Sequence, residues 1–278
     1  MAQRPLPVFA VAIALAASAT EVAIAHAPPE AIEAEARAEV ARHPDDAAAH
    51  LAAGRMHQAA RAWDAALAAF ERARELGADP TIVAIASGQV LLDAGRPRAA
   101  ALELTRALDR DPENVAARYD RGRARMALAD AAGAAQDFAR AIAAMREPRP
   151  EHLFAWRDAL VALGDRPGAI RVLDAGIAHL GAVPSLELAA LDLELRLERY
   201  PDALRRLDRM LGTSAQNPAW IVRRAEVLDR LARHDEARRE RVRALAMIEG
   251  RRPQRRGATL TSLAAELRRD LTTTAESQ

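Results

Sequence analysis

The sequence predicts an all-α protein assembled from consecutive helical hairpins. The main observation is a period of 34 residues, which separates Gly88 from Gly122 and Ala100 from Ala134. Composition also favours helices, because Ala and Leu dominate the chain and aromatic residues make up only 3% of it. A fixed period of this length indicates a repeat array, in which each repeat packs against its neighbours along the chain.

The first 25 residues have the features of a secretory signal peptide. Arg4 supplies a positive charge, residues 8–19 form an unbroken apolar run, and small residues flank Ser18 and Ile24 at two candidate cleavage sites. A membrane span needs roughly 20 apolar residues, and Glu21 interrupts the run before that length. Residues 1–25 are therefore predicted to be a signal peptide, with an uncleaved anchor as the alternative. The protein is predicted to be secreted or periplasmic, without a stable membrane span after cleavage.

The rest of the chain divides into a leading helix, a repeat array and a closing helix. Pro28 and Pro29 are compatible with a helix start because a missing N–H costs nothing there, and Pro44 ends that helix. Residues 28–43 are thus predicted to be an N-terminal capping helix. Six repeats are predicted over 47–250, at 47–80, 81–114, 115–148, 150–183, 184–217 and 218–250. An amphipathic helix at 258–272 is predicted to cap the apolar face that the last repeat leaves open.

The repeats share a set of small and large apolar positions. In the second helix of each repeat, here called helix B, a small residue is followed four positions later by a large one, which forms one apolar stripe. The small residues are Ala66, Ala100, Ala134, Ala169, Ala203 and Ala237, and the large ones are Phe70, Leu104, Phe138, Leu173 and Leu207, with Arg241 out of pattern in the sixth repeat.

The first helix of each repeat, helix A, carries glycine in the first three repeats, at Gly54, Gly88 and Gly122. Glycine inside a helix costs about 1 kcal/mol relative to alanine. Its recurrence therefore predicts a close approach between helices. Gly95 and Gly164 are predicted to form the turn between helices A and B, because glycine adopts a positive φ easily.

This set of positions, with a proline closing most repeats, resembles the tetratricopeptide repeat. The repeats at 47–80, 81–114 and 115–148 match best, whereas Arg157 and Leu191 replace the helix-A glycine in the fourth and fifth repeats. The resemblance implies a right-handed superhelical solenoid of about six repeats with capping helices at both ends. It also implies that helix A lines a concave groove, where another protein or a peptide segment binds.

The repeat register of that family selects the candidate groove residues. The candidates are Arg55, Gln89, Tyr119, Arg123, Met126, Phe154, Asp158, Asp192 and Arg196. The same count also selects Gln58, Ile85, Asp93, Glu226, Asp229 and Arg230. Aromatic and arginine side chains commonly dominate binding at interfaces. The alternative is that all of these are ordinary helix-surface residues. A clamp for a terminal carboxylate is not supported, because the groove has Arg but no Asn at the corresponding positions.

No motif for catalysis, for a cofactor or for a metal is found. The chain has no Cys, no phosphate-binding loop and no nucleophile elbow. His43, His50 and His57 recur every seven residues, but a separation of roughly 10 Å along a helix is too large for two ligands of one ion. We interpret them as structural, with metal ligation as the alternative. The 40 basic and 39 acidic residues nearly balance, which argues against nucleic acid as a partner.

These observations predict a non-catalytic scaffold of the cell envelope that binds another protein or a peptide in its groove. The alternative is an accessory subunit of an envelope enzyme system, in cofactor-protein maturation or polysaccharide export. The arginine-rich segment at 251–256 is interpreted as a solvated linker, with contact to an anionic membrane surface as the alternative.

Overall fold

A computed structural model of the protein describes residues 28–181, 183–213, 217–250 and 257–276. The predicted signal peptide at 1–25 and the arginine-rich segment at 251–256 lie outside these residues. Within the described ranges the chain forms fourteen helices and no strand, which confirms the predicted all-α class. No helix in this part of the chain is long and apolar enough to cross a membrane.

The helices pair into hairpins in chain order within two compact units, Met1–Pro148 and Arg149–Gln278. The first unit contains α1 (Pro29–Arg42) and the hairpins α2 (Ala47–Ala59) with α3 (Trp63–Glu75), α4 (Pro80–Asp93) with α5 (Pro97–Arg110), and α6 (Val115–Ala127) with α7 (Ala131–Ala144). The second contains α8 (Pro150–Ala162) with α9 (Arg166–Leu180), α10 (Pro184–Arg196) with α11 (Tyr200–Thr213), α12 (Pro218–Arg230) with α13 (His234–Glu249), and α14 (Gly257–Glu276). Within each unit, helix B of one hairpin also contacts helix A of the next.

Each of the six hairpin turns contains one residue with a left-handed backbone. The φ angle is positive at Arg61, Gly95, Ala129, Gly164, Glu198 and Ala232. The next residue donates its N–H to the carbonyl five positions back, as Asp130 does to Arg125 over 2.9 Å, and this bond closes the end of helix A. Gly95 and Gly164 adopt the positive φ expected of them. The other four turns hold an L-residue in a conformation that costs about 1–2 kcal/mol.

Helix A begins at a capping side chain in four of the six repeats. The side-chain oxygen accepts a hydrogen bond from a first-turn N–H at Asp46, Asp79, Asn114 and Asn217. Each such cap contributes about 1 kcal/mol, because it satisfies a donor that the helix itself leaves unpaired.

The helix-A glycines lie directly beneath the large side chain of helix B. A Cβ atom added to Gly122 would stand 2.7 Å from Phe138 Cε1, and the equivalent glycines of the two preceding repeats show the same overlap, at 2.3 and 2.6 Å. Only glycine leaves room for this contact, so the glycines serve the close helix approach predicted for them. The small helix-B residues beside this contact, from Ala66 to Ala237, are all fully buried.

In the second unit, residues other than glycine occupy the helix-A position that faces helix B. Leu191 and Ala225 occupy the glycine position in the fifth and sixth repeats, and both are fully buried. In the sixth repeat Arg241 stands where a large apolar residue is usual. Its guanidinium donates to the Asp229 carboxylate on helix A of the same hairpin. A half-buried charge is tolerated here because it is paired.

The terminal helices cover apolar surface of the neighbouring hairpins. Ile32 and Ala36 of α1 are buried, and Ala36 packs with Ala53 of α2. At the other end of the chain, Ala264 and Leu267 of α14 join a cluster with residues of α11, α12 and α13. Both helices therefore bury the faces that an end repeat would expose.

Candidate functional site

The predicted groove residues of the first unit lie on α2, α4 and α6. Arg55 and Arg123 are exposed, whereas Gln89, Tyr119 and Met126 are half-buried. The ring of Tyr119 packs against Phe138 of the same hairpin, with centroids 5.3 Å apart and the planes tilted by 52°. Tyr119 therefore belongs to the margin of the core as well as to the surface.

A set of side-chain hydrogen bonds connects successive A helices in the first unit. Gln58 Nε2 donates to Asp93 Oδ2 over 3.0 Å between α2 and α4, and Gln89 Nε2 donates to Asp120 Oδ2 over 2.9 Å between α4 and α6. Asp120 Oδ1 accepts a further bond of 3.0 Å from Arg123 Nη1. Asp120 is only 6% exposed, so its carboxylate is held in place. Its hydrogen bonds therefore orient the Gln89 and Arg123 side chains.

The predicted residues of the fourth repeat form a small cluster on α8. The guanidinium carbon of Arg157 stands 4.8 Å from the centroid of the Phe154 ring, within the range of a cation–π interaction. The same guanidinium pairs with Asp158 at 2.7 Å. Arg157, which replaces the helix-A glycine, thus covers one face of the aromatic ring that the register placed in the groove.

One hollow of about 510 Å³ opens between α10, the start of α11, α12 and α13 in the second unit. Four residues selected from the repeat register line it, namely Arg196, Glu226, Asp229 and Arg230. Its other lining residues are Leu195, Glu198, Tyr200, Val227 and Arg241. Asp192, also selected, does not line the hollow but accepts a 2.7 Å bond from Arg196.

The charges around this hollow are partly paired. Asp229 accepts bonds from Arg241 and from His234, the latter over 3.1 Å. Arg230 is exposed and has no ion-pair partner among the described residues. The hollow therefore combines apolar walls with guanidinium groups that remain accessible at its margin.

The second unit contains a buried arginine bonded to three carboxylates, which was not predicted from the sequence. Arg206 of α11 is 2% exposed and donates two bonds to Glu194, at 2.9 and 2.8 Å, one to Glu187 at 2.7 Å and one to Asp174 at 2.7 Å. Burial alone would lower the pKa of Arg206, but the hydrogen bonds to its three carboxylates outweigh burial and raise that pKa above its ordinary value. The guanidinium therefore stays charged.

The first unit contains a related cluster, in which the central buried charge is negative. Asp137 of α7 is 3% exposed and accepts two bonds from Arg121, at 2.9 and 2.8 Å, and one of 2.8 Å from Arg125. Asp137 and Arg206 occupy the same helix-B position, three residues after the buried alanine and directly before the large apolar residue. A charged residue beside the apolar stripe, directly before its large member, could have indicated these two clusters from the sequence.

The three regularly spaced histidines have different surroundings. His50 Nε2 lies 2.9 Å from the Pro44 carbonyl oxygen. His57 Nδ1 is buried and has no hydrogen-bond partner among the described residues, and burial lowers the pKa of His57. No group of three or more potential metal ligands is found within the described part of the chain. His50 is thus buried and His57 half-buried in α2, whereas His43 is exposed just after the end of α1.

Comparisons with known proteins concern the repeat and the fold. A family profile described as tetratricopeptide repeat matches residues 85–149. No curated protein gives a significant match. Among solved structures, a tetratricopeptide repeat protein from Parabacteroides merdae ATCC 43184 has a TM-score of 0.51 and 16% identity, over 84% of this chain and 90% of that one.

Two further structures are similar at the same level. YrrB, described as a TPR protein with an unusual peptide-binding site, has a TM-score of 0.50 and 14% identity, over 71% of this chain and 97% of that one. PilW, described as a widely conserved type IV pilus biogenesis factor, has a TM-score of 0.50 and 18% identity, over 54% and 70% of the two chains. At such identities the likeness concerns the fold alone. This chain has the all-α helical-repeat fold of tetratricopeptide repeat proteins.

Proposed function

We propose that this protein is a non-catalytic scaffold that binds another protein or a peptide segment. The observation that carries the proposal is the hollow in the second unit, where Arg196, Glu226, Asp229 and Arg230 meet although they come from two repeats. Its volume of about 510 Å³ is sufficient for several side chains of a ligand. The likeness to YrrB, whose description names a peptide-binding site, adds support from a protein of the same fold.

Binding at this surface needs no chemical step. Helices α10 and α12 hold the hollow open before a ligand arrives, so only the ligand must be ordered on docking. Leu195 and Tyr200, which are half-buried, supply apolar contact. The Arg196 and Arg230 guanidiniums can each pair with a carboxylate or a carbonyl of the ligand. We infer a site suited to a segment with both apolar and acidic or carbonyl groups.

A peptide-display selection on the purified protein, followed by fluorescence anisotropy, tests this proposal. Arg196→Glu with Arg230→Glu should weaken a selected peptide at least tenfold, because both changes place a carboxylate where the ligand needs a donor. Arg238→Glu is the matched control, since Arg238 is an exposed arginine of α13 that does not line the hollow. Equal affinity of the double variant and the control would show that the hollow is not the binding site.

A parallel pair of changes tests the predicted groove of the first unit. Tyr119→Ala with Arg123→Glu should leave far-UV circular dichroism unchanged and weaken a ligand bound along α2, α4 and α6. The hydrogen bond between Arg123 and Asp120 would become a repulsion between two carboxylates. A selected peptide that binds this variant normally but fails on the Arg196 and Arg230 variant belongs to the second unit.

The proposed place of action is the cell envelope, in the periplasm or outside the cell. The charge at Arg4, the apolar run at 8–19 and the small residues after it support this assignment. Fractionation of expressing cells with N-terminal sequencing of the product tests it. We expect a cleaved protein that begins near residue 26, and a cytoplasmic protein with its original N-terminus would contradict the proposal.

A further inference from the structure

Two notches in the first unit occupy the same place in consecutive repeats. The first has a volume of about 260 Å³ and is lined by Arg74, Pro80, Ala84, Glu103, Arg106 and Arg110. The second has a volume of about 430 Å³ and is lined by Glu113, Val115, Arg118, Arg140, Ala141, Ala143 and Ala144. Arg106 and Arg140 are equivalent positions 34 residues apart. None of the residues predicted for the groove lines either notch.

The first notch has more guanidinium groups than carboxylates to pair them. Arg74 and Arg106 both contact Glu103, at 3.4 and 2.6 Å. Arg110 Nη1 donates only to the Arg106 carbonyl, over 2.9 Å, and has no carboxylate partner among the described residues. Arg74 also pairs with Glu71 at 2.8 Å. The unpaired charge at Arg110 therefore leaves the notch positive.

The second notch is positive for the same reason. Arg118 donates to the Pro112 carbonyl, and the exposed Glu113 carboxylate lies 3.9 Å from its guanidinium. Arg140 is exposed, and within the described ranges no carboxylate pairs with it. Arg140 thus presents a free guanidinium at the position where Arg106 stands in the repeat before.

We propose that these two notches form a second binding surface, which takes an acidic peptide segment with single carboxylates separated by apolar or small residues. A guanidinium binds a carboxylate with two parallel hydrogen bonds, which fixes direction as well as charge. Pro80 in the first notch, and Val115 and Ala144 in the second, provide accessible apolar surface for the residues between the carboxylates. Leu102, which is 55% exposed and lies one turn before Arg106, extends that apolar contact.

The shape and charge of the notches favour a peptide over other anions. Glu103 and Glu113 stand among the arginines and would repel a continuous polyanion. The apolar groups beside the arginines suit the side chains of a peptide, which a lipid headgroup lacks. The surface is independent of the proposed function, because it uses different residues from the groove and from the hollow in the second unit.

A labelled alternating Glu-Ala peptide, compared with its Gln-Ala counterpart, tests the proposal on the purified protein. The acidic peptide should bind and the neutral one should not, and binding should weaken as salt is added. Arg106→Ala with Arg140→Ala should reduce the affinity about five- to tenfold, since each exposed ion pair contributes modestly. Arg98→Ala is the matched control, because Arg98 is exposed on the same helix as Arg106 and lines neither notch.

Further variants separate charge from geometry. Arg106→Lys with Arg140→Lys keeps the charge but loses the paired hydrogen bonds, so its affinity should be intermediate. A thermal melt of each variant checks that the fold is kept. Four results would each overturn the proposal: equal weakening by Arg98→Ala, equal binding of the neutral peptide, binding of phosphatidylglycerol vesicles without binding of the acidic peptide, or loss of acidic-peptide binding in the Arg196→Glu with Arg230→Glu variant.

Discussion

Replacing Arg206 by methionine removes the positive charge that pairs with Asp174 and with the buried Glu187 and Glu194. Methionine is apolar and similar in length, so the change leaves the volume of the site nearly filled. Glu187 and Glu194, which are 7% and 4% exposed, would then lack the guanidinium that now pairs with both. The second unit is therefore expected to lose stability chiefly through uncompensated charge.

The expected loss can be estimated from the contacts of Arg206. Its guanidinium makes hydrogen bonds of 2.7–2.9 Å to carboxylates on α9 and α10. Removing one partner of a buried ion pair typically costs about 3–5 kcal/mol. For a unit of this size we expect the melting temperature to fall by roughly 10–15 °C. Adding Glu187→Leu and Glu194→Leu to Arg206→Met should recover most of this loss, because no unpaired charge then remains buried.

Urea unfolding followed by far-UV circular dichroism, repeated across pH, measures the effect. In Arg206→Met the unpaired carboxylates accept protons more readily in the folded chain than in the unfolded chain. The stability deficit is therefore complete at neutral pH and shrinks as the pH falls toward about 4, where free Glu is half protonated. Arg205→Met is the control, because Arg205 is adjacent in sequence, has a side chain 66% exposed and pairs only with Asp202 at the surface.

Two results would refute this reasoning. A loss below about 1 kcal/mol, equal to that of an exposed ion pair, would show that water screens the cluster. A deficit that stays constant between neutral and acidic pH would show that the lost stability arises from packing and not from charge.

Three further changes test the packing, the turns and the buried histidine. Ala134→Arg should destabilise the first unit by about 4 kcal/mol or more, because it forces a charge into a fully buried helix contact, while Ala132→Arg on the exposed side of the same helix should melt like wild type. Ala129→Gly should stabilise by about 0.5–1 kcal/mol because φ is 61° there, whereas Ala68→Gly, at an exposed position in the middle of α3, should destabilise by a similar amount. Urea midpoints that move in the same direction would contradict the turn argument. Burial lowers the pKa of His57 in the folded chain, so the folded state resists protonation and stability should fall as the pH drops through about 6.5; His57→Gln should reduce that fall, and an unchanged pH profile would exclude the effect.

The two buried charge clusters favour the observed pairing of helices within each hairpin over an exchanged pairing. Asp137 on α7 pairs with arginines of α6, and Arg206 on α11 pairs with glutamates of α10, at the same position of the repeat. An exchange of these helices between hairpins would place like charges together in a buried site, at a cost of several kcal/mol. These two repeats are thus similar in apolar packing and opposite in the sign of the buried charge on helix B.

Local features of the sequence were enough to predict the helical-repeat class. A stripe of apolar residues at helical spacing depends only on the geometry of one helix, and the 34-residue period repeats that stripe without reference to the fold. The glycine at Gly122 likewise indicated a close contact, and Phe138 supplies it. Helix bounds are harder to predict: α14 runs from Gly257 to Glu276, whereas 258–272 was expected. Such bounds depend on packing and capping as well as on residue type.

Long-range pairing and backbone strain are decided by the folded structure. Arg206 meets carboxylates that lie 12 to 32 residues away in the chain, and no local pattern selects them from the many acidic residues available. The left-handed turn at Ala129 is equally invisible, because the i to i−5 hydrogen bond and the packing of α6 on α7 impose a positive φ on a residue that does not prefer it. The apolar periodicity is a property of each single helix, so the sequence shows it. Ion-pair partners and strained turns form only when the helices pack together.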